Sequence, residues 1–183
     1  MSREKFNSIK AAYGEFTREL LKKGQLPLRS TEKGFWNPAA DEEVYEAFRR
    51  LGLGKYKSFL DIGSGDGRVV LIASLFTPKA EGVESDGGLH QVALHMQKKL
   101  GINAVFRSKD VFAHDLSAYE VLFINPDTPM ERGMEDKLLG EMSGHLILYG
   151  HHFHPRFLEK KASVEVNGTP VTVYGKYPPT SSI

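Results

Sequence analysis

The chain has 183 residues and contains no cysteine. This absence excludes disulfide bonds, zinc fingers, thiolate catalysis and cysteine-ligated iron–sulfur clusters. An excess of one charge is missing as well, because 24 Lys and Arg face 23 Asp and Glu, for a net charge of +1. No overall basic field exists to hold a polyanion, so charge provides no strong signal for nucleic-acid binding.

Long hydrophobic runs are also missing. The longest, residues 69–76, spans eight residues and includes a serine, whereas a membrane helix needs about 20 apolar residues. The first ten residues are polar and lack the apolar region of a signal peptide. We therefore expect a cytoplasmic protein without a membrane span. With 40% hydrophobic and 26% charged residues, the composition is that of a globular protein.

An N-terminal unit, residues 1–38, precedes the main pattern of the chain. Large apolar side chains recur in it at steps of three and four residues: Phe6, Ile9, Tyr13, Phe16 and Leu20. This spacing predicts an amphipathic helix over 3–23, followed by an irregular connector over 25–38. The unit is either a lid over a ligand pocket, through Phe35 and Trp36, or a structural extension. The sequence leaves the oligomeric state open.

The main domain, residues 39–183, opens with a predicted helix over 39–51 and then alternates strands with helices. The predicted strands are 58–62, 80–84, 104–106, 121–125 and 145–149, the helices are 65–76, 88–100 and 130–142, and a final strand pair is 164–166 and 171–174. Such alternation predicts an α/β fold with a mostly parallel sheet, helices on both faces and a C-terminal antiparallel hairpin. Ligands of such sheets bind beyond the carboxyl ends of the strands.

A glycine-rich segment follows the first strand of this domain and reads Asp61-Ile62-Gly63-Ser64-Gly65-Asp66-Gly67-Arg68. Alternate glycines carry no Cβ, so a ligand can lie directly on the main chain. A dinucleotide fingerprint would need a glycine where Arg68 stands. The carboxylate of Asp61 is unsuited to a diphosphate and suits a ligand with a cationic amino group, such as S-adenosylmethionine.

The next two loops carry further acidic residues. Glu84 ends the second strand and is followed by Ser85, and a carboxylate in this place can accept hydrogen bonds from both hydroxyls of a ribose. Asp110 and Val111 follow the third strand. An aspartate with apolar neighbours can receive an adenine amino group, so the three loops together predict a nucleoside site.

These motifs and the strand order resemble class I S-adenosylmethionine-dependent methyltransferases over roughly residues 36–177. The resemblance implies a Rossmann-like sandwich whose seven strands, numbered along the domain, lie in the order 3-2-1-4-5-7-6. It implies S-adenosylmethionine as the cofactor, with the glycines under its methionine part, Asp61 at its amino end, Glu84 at its ribose and Asp110 at its adenine. The implied cofactor-binding residues are Trp36, Asp61, Gly63, Gly65, Asp66, Gly67, Arg68, Glu84, Ser85, Asp110, Val111 and Asn125.

A narrower resemblance points to archaeal and mitochondrial-type protein-lysine methyltransferases. It is carried by three segments: Asp66-Gly67-Arg68, Phe35-Trp36-Asn37-Pro38 and Gly150-His151-His152-Phe153. It implies transfer of a methyl group to an amine, with protein lysine as the favoured acceptor. The segment Asn125-Pro126-Asp127-Thr128-Pro129 departs from that family, and a small molecule or an RNA nucleotide is the alternative acceptor. A module that binds cofactor or partner without catalysis is the alternative of another class.

Asn125 is the predicted catalytic residue, as the group that orients the acceptor amine. Asn125-Pro126 resembles the start of the Asn-Pro-Pro-aromatic motif of base methyltransferases, but the second proline and the aromatic residue are missing. Asp127 or His151 can assist deprotonation through water, and no essential general base is expected. The histidines at 151, 152 and 154 are expected to form a substrate-side wall with Phe153 rather than a metal site.

Overall fold

The structure is a computed structural model that describes residues 3–32, 34–130 and 133–178. Its helices are α1 (Arg3–Lys22), α2 (Asp41–Leu51), α3 (Arg68–Ala73), α4 (Gly87–Leu100) and α5 (Met134–Glu141). Its strands are β1 (Arg29–Thr31), β2 (Gly34–Trp36), β3 (Ser58–Ile62), β4 (Lys79–Glu84), β5 (Val105–Ser108), β6 (Val121–Ile124), β7 (His145–Tyr149), β8 (Glu159–Val166) and β9 (Thr169–Gly175). None of the helices in these ranges is long and apolar enough to cross a membrane.

Seven strands form one sheet in the order β5-β4-β3-β6-β7-β9-β8. Strands β3 to β7 pair in parallel, and β9 and β8 join as an antiparallel hairpin at one end. This arrangement confirms the predicted fold class and strand order. The chain runs from β3 to β4 on one side and later returns to β6 on the other, so the switch point of the sheet lies at β3.

Side chains of the central strands alternate between two hydrophobic cores. In β6, Val121 and Phe123 belong to the core under α1 to α4, and Leu122 and Ile124 belong to the core under α5. This alternation is the two-residue period of a strand buried on both faces. Phe48 of α2 contacts the first core, with its ring centroid 5.7 Å from that of Phe123.

Two predicted helices and the predicted connector differ from the structure. The helix predicted over 65–76 begins only at Arg68, because Gly65 and Gly67 have φ angles of 54° and 83°, outside the helical region. The helix predicted over 130–142 begins at Met134 after Gly133, whose φ is 89°. The connector predicted as irregular contains the hairpin β1–β2, in which Arg29 pairs with Trp36. Its three-residue strands show no long alternation from which it could be predicted.

The C-terminal hairpin is longer than predicted. Its strands span 159–166 and 169–175, and Asn167 and Gly168 turn with φ angles of 52° and 85°. Two successive positive φ angles are the geometry for which an Asn-Gly pair is favoured in a tight hairpin. The predictions for residues 1–2, 33, 131–132 and 179–183 lie outside the described residues.

Candidate functional site

A cavity of about 600 Å³ lies beyond the carboxyl ends of β3, β4 and β6. The hairpin β1–β2 and the loop after β5 contribute to its walls. Eleven of the sequence-predicted site residues line it: Trp36, Asp61, Gly63, Gly65, Asp66, Arg68, Glu84, Ser85, Asp110, Val111 and Asn125. The fold therefore brings residues up to 89 positions apart, from Trp36 to Asn125, into one cavity.

Each glycine of the loop after β3 serves a different geometric need. A Cβ on Gly63 would meet nothing within 4 Å, so bare main chain faces open space there. A Cβ on Gly65 would lie 2.8 Å from Cδ1 of Trp36, so the missing side chain admits the indole ring. Gly67 is not among the residues that line the cavity. A Cβ on Gly67 would lie 2.6 Å from Cβ of Ala93, so the missing side chain lets the loop pack against helix α4. Gly67 thus closes the contact between the loop and helix α4, and its expected place under a ligand stays a prediction.

Asp61 places a buried carboxylate in the cavity wall. Its exposed fraction is 3%, and no described residue forms a hydrogen bond or ion pair with it. Burial raises the pKa of Asp61 well above its ordinary value, and the neighbouring carboxylates of Glu84 and Asp66 raise it further. A cation in the cavity would offset both effects, so the site electrostatically favours a positively charged ligand group.

Glu84 is held rigidly at the end of β4. One carboxylate oxygen accepts the backbone N–H of Gly65 at 2.8 Å, and the other accepts that of Asp86 at 2.7 Å. Asp86 in turn caps helix α4 by accepting the N–H of Leu89 at 2.8 Å. Each oxygen of Glu84 keeps a second acceptor position, so the carboxylate can bind two hydroxyl groups in a fixed orientation.

The loop after β5 forms the third wall. The carboxylate of Asp110 accepts the backbone N–H of Phe112 at 3.0 Å and starts a short 3₁₀ turn, Val111–Ala113. Val111 and the half-exposed Phe112 line the cavity from this turn. The wall combines one carboxylate with apolar surface, which suits a planar ring that carries an amino group.

Arg68 is occupied by protein groups. Its guanidinium pairs with Asp66 at 2.7 Å and with Asp41 at 3.3 Å, and it lies 4.7 Å from the ring centroid of Tyr13. The Tyr13 hydroxyl donates a hydrogen bond to the main-chain oxygen of Asp66 at 2.8 Å. Sequence reasoning missed this buried network, whose faint signals were an inward-facing tyrosine in the first helix and an aspartate at the start of the second.

The segment after β6 is tied to the N-terminal connector. Nδ2 of Asn125 donates to the main-chain oxygen of Asn37 at 3.0 Å, and the carboxylate of Asp127 accepts the backbone N–H of Phe35. The donor capacity of Asn125 is partly used in this way, and its side-chain oxygen accepts no hydrogen bond from a residue in the described part of the chain, so it can accept one from an amine donor. Helix α1 itself packs in the core, whereas residues of the hairpin β1–β2 and the following Asn37 and Pro38 line the cavity.

The histidine-rich loop lies apart from the cavity. His151, His152, His154 and Phe153 are not among its lining residues, so the expected substrate-side wall is not formed there. His154 instead forms a hydrogen bond of 2.7 Å with the hydroxyl of Tyr174. Within the described ranges no group of three His, Asp or Glu side chains is arranged to hold a metal ion.

Comparison with known proteins places the fold. No model of a known family and no curated protein matches the chain. An RNA methyltransferase from Salinibacter ruber, solved with S-adenosyl-L-homocysteine, matches with a TM-score of 0.65 and 22% identity, over 79% of this chain and 98% of that one. A tRNA (uracil-54, C5)-methyltransferase from Pyrococcus abyssi, also solved with S-adenosyl-L-homocysteine, matches with a TM-score of 0.59 and 12% identity, over 69% and 36%.

A third solved structure, a point mutant of MtNAS in complex with S-adenosylmethionine, matches with a TM-score of 0.59 and 14% identity, over 71% of this chain and 60% of that one. The TM-scores of these matches show a common fold. Because the identities are low, the activity has to be argued from the site itself. The chain thus has the Rossmann-like methyltransferase fold that its sequence motifs indicated.

Proposed function

We propose that this protein is an S-adenosylmethionine-dependent methyltransferase that acts on an amine of an RNA nucleotide or a small molecule. The observation that carries the proposal is the buried carboxylate of Asp61, which lines the cavity without a cationic partner among the described residues. A cofactor that presents an ammonium group would supply that partner. Its sugar would meet Glu84, and its adenine would meet the wall of Asp110 and Val111.

The electrostatics of the cavity support this cofactor over a dinucleotide. A diphosphate near the glycine loop would face the carboxylates of Asp61 and Glu84. Arg68 offers no compensation, since its guanidinium already pairs with two aspartates. A phosphate-free nucleoside that carries positive charge avoids this repulsion.

The chemistry requires little of the protein beyond positioning. The bound cofactor supplies a methyl group on a sulfonium, an electrophile that is already activated. Asn125 orients the acceptor by accepting a hydrogen bond from its amine through the side-chain oxygen. Alignment of the two reacting groups and exclusion of water then account for most of the rate. Asp127 is engaged with the N–H of Phe35, so it is not assigned as an essential base.

The acceptor class rests on three observations. The RNA methyltransferase from Salinibacter ruber is matched over 98% of its own chain. In addition, residues 125–129 depart from the protein-lysine enzymes that the narrower resemblance favoured. The near-neutral net charge favours an acceptor of modest size over a long polyanion.

Two measurements test the proposal. Calorimetry with S-adenosylmethionine and with NAD should show saturable binding of the first only. Incubation with methyl-labelled cofactor and separated RNA, small-molecule and protein fractions should then label one of the first two. Binding of NAD instead would contradict the cofactor, and label found only in protein would contradict the acceptor. Cofactor binding without any transfer would favour the non-catalytic module.

A further inference from the structure

Helix α1 packs in the hydrophobic core next to the glycine loop. Phe6 and Ile9 are fully buried, and the exposed fraction of Tyr13 is 1%. These side chains belong to the same hydrophobic core as helix α3, which begins directly after the glycine loop. The buried face of the N-terminal helix therefore lies next to the glycine loop, and none of its residues lines the cavity.

One hydrogen bond joins this helix to the loop itself. The hydroxyl of Tyr13 donates to the main-chain oxygen of Asp66 at 2.8 Å across 53 positions of sequence. Burial raises the pKa of Tyr13 well above its ordinary value, so the hydroxyl stays protonated and remains a donor. The bond is buried, so its loss would leave a main-chain oxygen without this donor.

The oxygen that accepts this hydrogen bond lies at the centre of the glycine loop. Asp66 lies between Gly65 and Gly67, whose φ angles are 54° and 83°. Glycine is the most conformationally permissive residue, so the peptides on either side of Asp66 are held weakly by local preference. A donor from outside the loop restricts this freedom at its centre.

Tyr13 also influences the side chain of Asp66, through Arg68. The carboxylate of Asp66 pairs with the guanidinium of Arg68 at 2.7 Å, and this guanidinium lies 4.7 Å from the centroid of the Tyr13 ring. A buried guanidinium over an aromatic face gains a cation–π interaction in addition to its ion pairs. Tyr13 thus restrains both the main chain and, through Arg68, the side chain of Asp66.

We infer that Tyr13 is a positioning residue of the cofactor site, which holds the glycine loop in its binding conformation from the opposite side. The inference rests on the proposed function and makes helix α1 a working part of that site. Tyr13 does not line the cavity, so it acts through Asp66 and Arg68.

The test compares two buried tyrosines in the full chain. Tyr13→Phe keeps the ring and removes the hydroxyl. Tyr45→Phe is the matched control, because Tyr45 is 6% exposed and its ring stacks on Phe6 at 4.2 Å, while its hydroxyl bonds to no described residue. Calorimetry with S-adenosylhomocysteine should show binding weakened about 3- to 10-fold in Tyr13→Phe, as expected for one neutral hydrogen bond, and unchanged within about twofold in Tyr45→Phe.

Amide hydrogen exchange of both variants without cofactor gives the second readout. The amides of Gly65, Asp66 and Gly67 should exchange about 3- to 10-fold faster in Tyr13→Phe than in Tyr45→Phe. Equal exchange in the two variants overturns the inference, and so does unchanged affinity in Tyr13→Phe beside normal binding by the wild type. If the wild type binds no S-adenosylhomocysteine, the proposed function fails, while the exchange data still decide whether Tyr13 holds the loop.

Discussion

The loops after β3 and β4 differ from the segment after β6 in how exposed their polar groups are. In the first group the carboxylates of Asp61, Asp66 and Glu84 are at most 9% exposed, and that of Glu84 accepts two backbone N–H groups. In the second, Asn125 and residues 127–129 are exposed. We call these the cofactor side and the acceptor side of the cavity.

This contrast separates two requirements of one site. A site that binds the same small molecule in every turnover gains from groups fixed before binding, since little ordering remains to be done. A site that must admit an acceptor and release a product keeps its groups exposed to solvent. Substitutions on the cofactor side should therefore change affinity and stability together, and those on the acceptor side should change turnover.

The largest effect is expected for Asp61→Asn. The raised pKa of Asp61 means that the folded protein binds this proton more tightly than the unfolded chain. Ionisation therefore costs stability as the pH rises from the ordinary aspartate pKa toward the raised one. The variant should raise the Tm of the cofactor-free protein at pH 7 and weaken cofactor binding about 10- to 100-fold, the cost of one charge-assisted hydrogen bond.

Asp136→Asn on the exposed surface of α5 is the control for Asp61→Asn and should change neither quantity. Scanning calorimetry and isothermal titration measure the two effects. Wild-type affinity in Asp61→Asn would remove the central support of the proposed function.

The next effect concerns two glycines of one loop. Gly63→Ala and Gly65→Ala both place a side chain at positive φ, which costs about 1–2 kcal/mol in urea unfolding. Only the second should displace Trp36, the one tryptophan of the chain, from its contact. The wavelength of tryptophan fluorescence emission in the cofactor-free protein should therefore shift in Gly65→Ala and stay unchanged in Gly63→Ala. An equal shift in Gly63→Ala would show that strain in the loop, rather than the contact between residue 65 and Trp36, moves the indole ring.

On the acceptor side, Asn125→Ala should lower turnover about tenfold and leave cofactor affinity within about twofold. Asn125→Asp keeps an acceptor oxygen and loses the donor to Asn37, so it should retain more activity than the alanine variant. Single-turnover rates and calorimetric affinities separate the two quantities. Equal losses of turnover and affinity would reject the orienting role.

The smallest effect is expected for Arg29→Gln. This side chain is 50% exposed and pairs with Asp86 at 2.9 Å, while Asp86 keeps its separate role as the cap of α4. Exposed pairs contribute about 0–1 kcal/mol and weaken as salt is added. Urea unfolding at low and high salt should show a small difference that disappears at high salt, and a large, salt-independent loss would contradict the surface character of the pair.

Most of the sheet was predictable because its signals are local. Strands β3 and β7 begin and end at the predicted residues, since apolar runs bounded by turn residues mark buried strands. The Asn167-Gly168 turn was predictable for the same reason. The start of α3 was not, because it follows the positive φ angles of Gly65 and Gly67, which pack closely against Trp36 and Phe106 from distant segments.

The sequence by itself determined which chemical groups meet at the cavity, because strand order and loop position bring Asp61, Glu84 and Asp110 to the same edge of a parallel sheet. Only the tertiary structure decided how those groups are held. The bond from Tyr13 to Asp66 and the one from Phe35 to Asp127 join residues 53 and 92 positions apart. Such contacts arise from packing between whole elements, and no local pattern along the chain encodes the distance between two side chains that meet only after folding.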